Sequence, residues 1–75
     1  MINKDIIAQY DVYVYDDMET VHDYTGNDLD EAIKSFEMLK SIQTNKKQID
    51  SDVTIVLYDN WNDKIINDYN TLRDA

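Results

Sequence analysis

The chain reads as an α+β domain of order β-β-α-β-β: a four-stranded, mostly antiparallel sheet with one helix packed on one face. Three observations predict this. A period-two apolar run covers residues 6–14, a helical apolar stripe follows Gly26, and a β-branched run covers residues 53–58. Runs of strands flanking a single helix, with no βαβ alternation, point to one sheet and one covering layer.

In the first run Ile6, Ala8, Tyr10, Val12 and Val14 share one side of a strand, because successive side chains alternate. Ile7, Gln9, Asp11, Tyr13 and Tyr15 share the other. One side is apolar and the other polar and aromatic, as in a sheet covered on one side only. Asp16-Asp17 reads as a tight turn, and Met18 to Thr25 as the return strand.

The helix is predicted over 28–44. Asn27 or Asp28 can cap it, and Asp28-Leu29-Asp30-Glu31 has the acid-x-x-Glu form of a capping box. Acids in the first turn suit the helix dipole. Leu29, Ala32, Ile33, Phe36, Leu39 and Ile42 recur at helical spacing and form one stripe. Asn45 fits the C-terminal cap. Val53 to Tyr58 is apolar on both sides and suits a central strand. Asp59 to Asp63 is a turn cluster, Lys64 to Asn70 returns as the fourth strand, and residues 71–75 are expected to form a loose tail.

At 75 residues the chain is expected to be one domain, 1–75, with a thin core. It has no cysteine, so disulfides and thiolate metal sites are excluded. No stretch reaches the roughly 20 apolar residues of a membrane span. No secretory h-region opens the chain, so a cytoplasmic location is expected. Residues with AT-rich codons abound (Asp, Asn, Ile, Tyr, Lys), while Pro is absent and Gly and Arg occur once each. That usage suits a low-GC bacterium or a virus of one, and hence a bacterial host cell.

The net charge is −9. Its magnitude lies just beyond the roughly 2 to 8 usual for a small soluble domain. Its distribution is more informative: from Asp5 to Ile33 there are nine acids and no Lys or Arg. The lysines gather at Lys34, Lys40, Lys46 and Lys47. Such a chain is repelled by a phosphate backbone, so direct nucleic-acid binding is disfavoured.

Catalytic sets are hard to assemble from these residues. His22 is the single histidine, and neither Ser35, Ser41 nor Ser51 has a base and an orienter close in sequence. No enzymatic activity, cofactor or metal is expected. Asp16-Asp17-x-Glu19, Asp50-x-Asp52 and Asp59-x-x-x-Asp63 could offer oxygen ligands, but none has the spacing of a calcium loop, and Asp favours turns in any case.

A carboxylate-bearing fold can instead occupy a cationic groove made for nucleic acid. Residues i and i+2 of a strand sit about 6.7 Å apart on one face, near two steps of rise along one DNA strand at about 3.4 Å each. The residues expected to bind a partner are Asp11, Tyr13, Tyr15, Asp16, Asp17, Glu19, Asp23, Tyr24, Asp28 and Asp30, with Glu19 and Asp23 on one strand face. Tyr residues supply apolar anchors at such interfaces.

In size, in the acidic run from Asp5 to Glu31, in lacking Cys and Pro, and in its compact α+β pattern, the chain resembles small acidic inhibitors from bacterial viruses and mobile elements, such as anti-CRISPR and other DNA-mimic proteins. The resemblance is one of character and rests on no motif. It implies a protein partner with a basic nucleic-acid-binding surface, such as a CRISPR effector or nuclease. The alternative is a structural or assembly module that homodimerises, or docks to another subunit, through an open sheet face carrying Ile7, Tyr13 and Tyr15.

Overall fold

The computed structural model describes residues 7–46 and 52–74. The elements are β1 (Tyr10–Tyr15), β2 (Thr20–Gly26), α1 (Leu29–Thr44), β3 (Thr54–Asp59) and β4 (Lys64–Asn70). They form one four-stranded sheet in the order β2-β1-β3-β4, with every neighbouring pair antiparallel. The predicted β-β-α-β-β order and α+β class are both present, and β3 is central.

Register decides which residues the helix covers. Val12 lies opposite Leu57 and Val14 opposite Ile55, on the same side as Tyr24 of β2 and Tyr69 of β4. Against them α1 lays Ala32 and Phe36, and this set is the core, with Tyr10, Val14, Tyr24 and Leu39 packed at its margin. Burying a large apolar side chain contributes about 1.5–3 kcal/mol, so few residues carry most of the stability.

The predicted stripe is wider than the covered face. Ala32 and Phe36 are buried, but Leu29, Ile33 and Ile42 stay exposed, while Ser35 turns inward. The reason is geometric. A helix about 10–12 Å across spans two or three strands set about 4.8 Å apart. Accordingly α1 packs chiefly on β1, β2 and β3, and reaches β4 at Tyr69, whose ring lies 5.6 Å from Lys40 Nζ.

Each edge strand carries one extra residue. Val12 and Tyr13 face Tyr24 and His22, leaving Asp23 as a bulge in β2; Leu57 and Tyr58 face Asn67 and Ile65, leaving Ile66 as a bulge in β4. Bulges on edge strands disturb the free ladder that would otherwise pair with another chain.

The helix start is built by β2. Asp28 is the N-cap, its Oδ1 accepting the N–H groups of Asp30 at 2.9 Å and Glu31 at 3.2 Å. The reciprocal half of the expected capping box is made differently: Asp28 N–H donates to the Tyr24 hydroxyl at 3.1 Å, not to Glu31. Gly26 makes room for this, since a Cβ there would stand 2.5 Å from the same hydroxyl oxygen. Asn45 is the C-cap, as expected.

Of the segment expected as a loose tail, residues 71–73 form a hydrogen-bonded turn, and Ala75 lies outside the described residues. Thr71 is buried, its N–H donates to Val53 O, and its hydroxyl accepts Val53 N–H, both at 3.0 Å. Asn70 Oδ1 accepts the N–H groups of Leu72 and Arg73. Polar side chains at strand ends supply turn hydrogen bonds that an apolar pattern cannot reveal. No helix among the described residues is long and apolar enough to cross a membrane.

The β3–β4 turn depends on the buried Asp59. Its Oδ1 accepts the N–H groups of Trp61 and Asn62, and its Oδ2 the Asn62 amide. Burial alone would raise its pKa, but these hydrogen bonds and one from the Gln9 side chain outweigh it and hold the carboxyl below the ordinary 3.8.

Phe36→Ala is expected to cost about 3–5 kcal/mol and Asp28→Ala about 1 kcal/mol, read as shifts of a urea midpoint. A wild-type midpoint for Phe36→Ala would place the core elsewhere. Because the folded Asp59 carboxyl is depressed, its contribution is full above 3.8 and is lost as pH falls below that value. Asp59→Asn is therefore expected to lower stability at neutral pH and to flatten the acid limb of a stability–pH curve. An unchanged acid limb would remove Asp59 from that role.

Candidate functional site

The helix leaves the other side of the sheet uncovered. Three cross-strand rows run over it in the order β2-β1-β3-β4: Thr20–Tyr15–Thr54–Asn70, His22–Tyr13–Val56–Asp68 and Thr25–Asp11–Tyr58–Ile65. Tyr13 stacks with Tyr15 at 6.1 Å between ring centroids and lies 5.5 Å from the His22 ring. Val56 at the centre is only 4% exposed, so the polar and aromatic side chains around it form a lid over an apolar spot.

Hydrogen bonds bind this face together. Asp11 Oδ1 meets His22 Nδ1 at 2.9 Å and accepts the Thr25 hydroxyl at 3.3 Å. Asn70 joins Thr54 and Asp52, and the Tyr58 hydroxyl donates to Asp63. Arg73 donates to Asp68 at 2.9 Å and to Asp74 at 2.6 Å. A nucleophilic relay sets a hydroxyl on the imidazole and a carboxylate behind it. Here Thr25 and His22 converge on one carboxylate oxygen instead.

The ten residues expected to bind a partner divide among three places. Asp11, Tyr13 and Tyr15 lie on the open face. Asp16, Asp17 and Glu19 form the exposed β1–β2 turn, where Asp16 Oδ1 accepts the N–H groups of Met18 and Glu19. Those two hydrogen bonds hold the Asp16 carboxyl below its ordinary value, so the turn stays anionic. Asp23, Tyr24, Asp28 and Asp30 belong to the helix side. Glu19, expected to share a strand face with Asp23, lies just before β2; Asp23 follows the open-face His22, lies on the α1 side and accepts the Ser35 hydroxyl.

Between β2 and α1 lies a shallow cleft of about 290 Å³ lined by Asp23, Tyr24, Glu31, Lys34, Ser35 and Met38. Its carboxylates already have partners: Ser35 donates to Asp23, and Lys34 lies 3.7 Å from Glu31. Among the described residues no group of three or more His, Asp or Glu is placed to hold a metal ion. Of the acidic segments, Asp50 lies outside the described residues, and Asp59 is committed to its own turn.

Lys34 and Lys40 lie on α1 together with Asp30, Glu31 and Glu37, and Lys46 follows the C-cap Asn45. Asp11, Asp52 and Asp68 belong to the open face, and Asp63 joins it through Tyr58. Arg73 is the cation among the described residues that is bonded to that face, where two carboxylates hold it. Sequence reasoning did not place Asp52, Asp63 or Asp68 on this face. Alternation within each strand was legible, but the β1–β3–β4 register that gathers them was not.

The chain matches no protein-family model, and comparison with curated proteins and with solved structures finds no match.

Tyr58 and Tyr13 report on this face. The hydrogen bond to Asp63 raises the Tyr58 pKa above 10.0, with burial adding to it. Burial, then the neighbouring Tyr15 and Asp11, raise Tyr13 above the same value. A folded pKa above the unfolded one adds stability that is present below 10.0 and lost as pH rises through the folded value. An ultraviolet phenolate titration is expected to show late-titrating tyrosines, with Tyr58 moving back toward 10.0 in Asp63→Asn. If Asp63→Asn leaves the curve unchanged, the hydrogen bond is not the cause.

Proposed function

We propose that this chain is a non-enzymatic acidic binding protein that occupies a basic, nucleic-acid-binding surface of a partner protein and so inhibits it, as anti-CRISPR and other DNA-mimic proteins do. The observation that carries this reading is an acidic surface with aromatic side chains set in it. The β1–β2 turn displays Asp16, Asp17 and Glu19, and the open face Asp11 and Asp68 with Tyr13, Tyr15 and Tyr58 among them. Such a field attracts a cationic groove and accelerates encounter with it. The reading does not rest on carboxylate spacing along β2, because Glu19 precedes that strand and Asp23 is bonded to Ser35. Support comes from the surface as a whole.

The reading is tested by displacement of a labelled duplex from a CRISPR effector or a DNA-processing nuclease. Displacement is expected to weaken steeply with salt, since the screening length falls from about 10 Å at 0.1 M to about 3 Å at 1 M. Asp17→Lys with Glu19→Lys is expected to weaken it about tenfold. These two positions are preferable to Asp16, which builds the turn, and to Asp23, which bonds Ser35. Salt-independent binding, or full activity of the reversed variant, would sink the proposal.

A further inference from the structure

We propose that the open sheet face is a docking surface for an arginine-bearing basic protein segment, with a guanidinium seated over Tyr13 and Tyr15 beside Asp11. This rests on the reading above and names where and how the partner is held.

The face has the chemistry such a group needs. A guanidinium is planar, stacks on aromatic faces and donates in a fork to carboxylates. Tyr13 and Tyr15 are stacked side by side on β1, and Tyr15 is 41% exposed. Asp11 lies two residues before Tyr13 on the same face, about 6.7 Å away along the strand. Its Oδ1 is taken by His22 and Thr25, but Oδ2 accepts no hydrogen bond from the described residues. That oxygen can receive an incoming donor without breaking the existing network.

One guanidinium of the chain already lies here: Arg73 donates to Asp68 and to Asp74. Charge also selects among occupants. Asp11, Asp52, Asp63 and Asp68 outnumber Arg73 on or beside the face. Two copies brought face to face would therefore repel, and so would a nucleic-acid backbone. The β2–α1 cleft is a weaker candidate, because its carboxylates are met by Ser35 and Lys34.

The test is a backbone amide NMR titration of the whole chain with an arginine-rich peptide, a lysine-rich peptide of equal length and charge, and a single-stranded oligonucleotide. The arginine peptide is expected to bind more tightly than the lysine peptide and to perturb Tyr13, Tyr15 and Tyr58. Tyr13→Leu keeps an apolar cover over Val56 while removing the ring. It is expected to weaken arginine-peptide binding about two- to fivefold and to shrink the preference over lysine. Tyr15→Thr, at a more exposed position, is expected to do the same should Tyr13→Leu perturb the fold. Perturbations confined to the β1–β2 turn, with equal affinity for both peptides and loss in the Asp17→Lys, Glu19→Lys protein, would overturn the docking face but leave the acidic-inhibitor reading standing. Absence of binding to either peptide would overturn both. Shifts of the same tyrosines on raising protein concentration alone, or on adding the oligonucleotide, would overturn the arginine assignment.

Discussion

The structure depends on one constraint: a single helix must supply all the cover that a four-stranded sheet receives. Everything apolar that is fully buried in the core cluster therefore gathers under Phe36 and Ala32, where Val12, Ile55, Leu57 and Tyr69 meet. A helix cannot shield both faces or all four strands, so the remaining surface must tolerate water. Tyrosine does so, having an apolar ring and a polar tip. That is why Tyr13, Tyr15 and Tyr58 can occupy the uncovered side, while Val12, Val14, Ile55 and Leu57 of the two central strands face the helix. The lid over Val56 and the binding surface proposed for the partner have the same origin.

The acidity has two parts with different physical meaning. Some aspartates build the fold: Asp16, Asp28 and Asp59 each accept backbone N–H groups at a turn or helix start, where a short carboxylate side chain reaches easily. These charges are held close to positive dipoles, and the Asp16 and Asp59 carboxyls lie below their ordinary values. Others, such as Asp17 and Asp30, contribute mainly to the field. Counting acids alone therefore overstates how much charge is devoted to a partner.

The sequence made the fold class, the helix bounds, the N-cap and the C-cap legible, because period and capping chemistry are local. It did not reveal the bulges at Asp23 and Ile66, since a one-residue slip is set by pairing with a neighbouring strand. That single uncertainty concealed that Tyr24 lies on the helix side, where it completes the helix cap. Thr71 was unreadable for a related reason: its burial depends on Val53, far away in sequence. The candidate face was half legible, through β1 alone, because its β3 and β4 members enter only through register.

Charge and contact must play separate parts in any recognition by this molecule. Coulomb attraction acts over about a Debye length, roughly 8 Å at physiological salt, and raises the rate of encounter with any cationic surface. It discriminates poorly, because every basic groove presents the same sign. Discrimination requires contacts that weaken sharply when a group is misplaced, and stacking on a fixed ring is of this kind. Tyr13 is fixed: Tyr15 lies on one side, His22 on another, and Val56 stands opposite it on β3. The first hairpin thus holds both requirements, its turn supplying the field and its β1 strand the rigid aromatic contact.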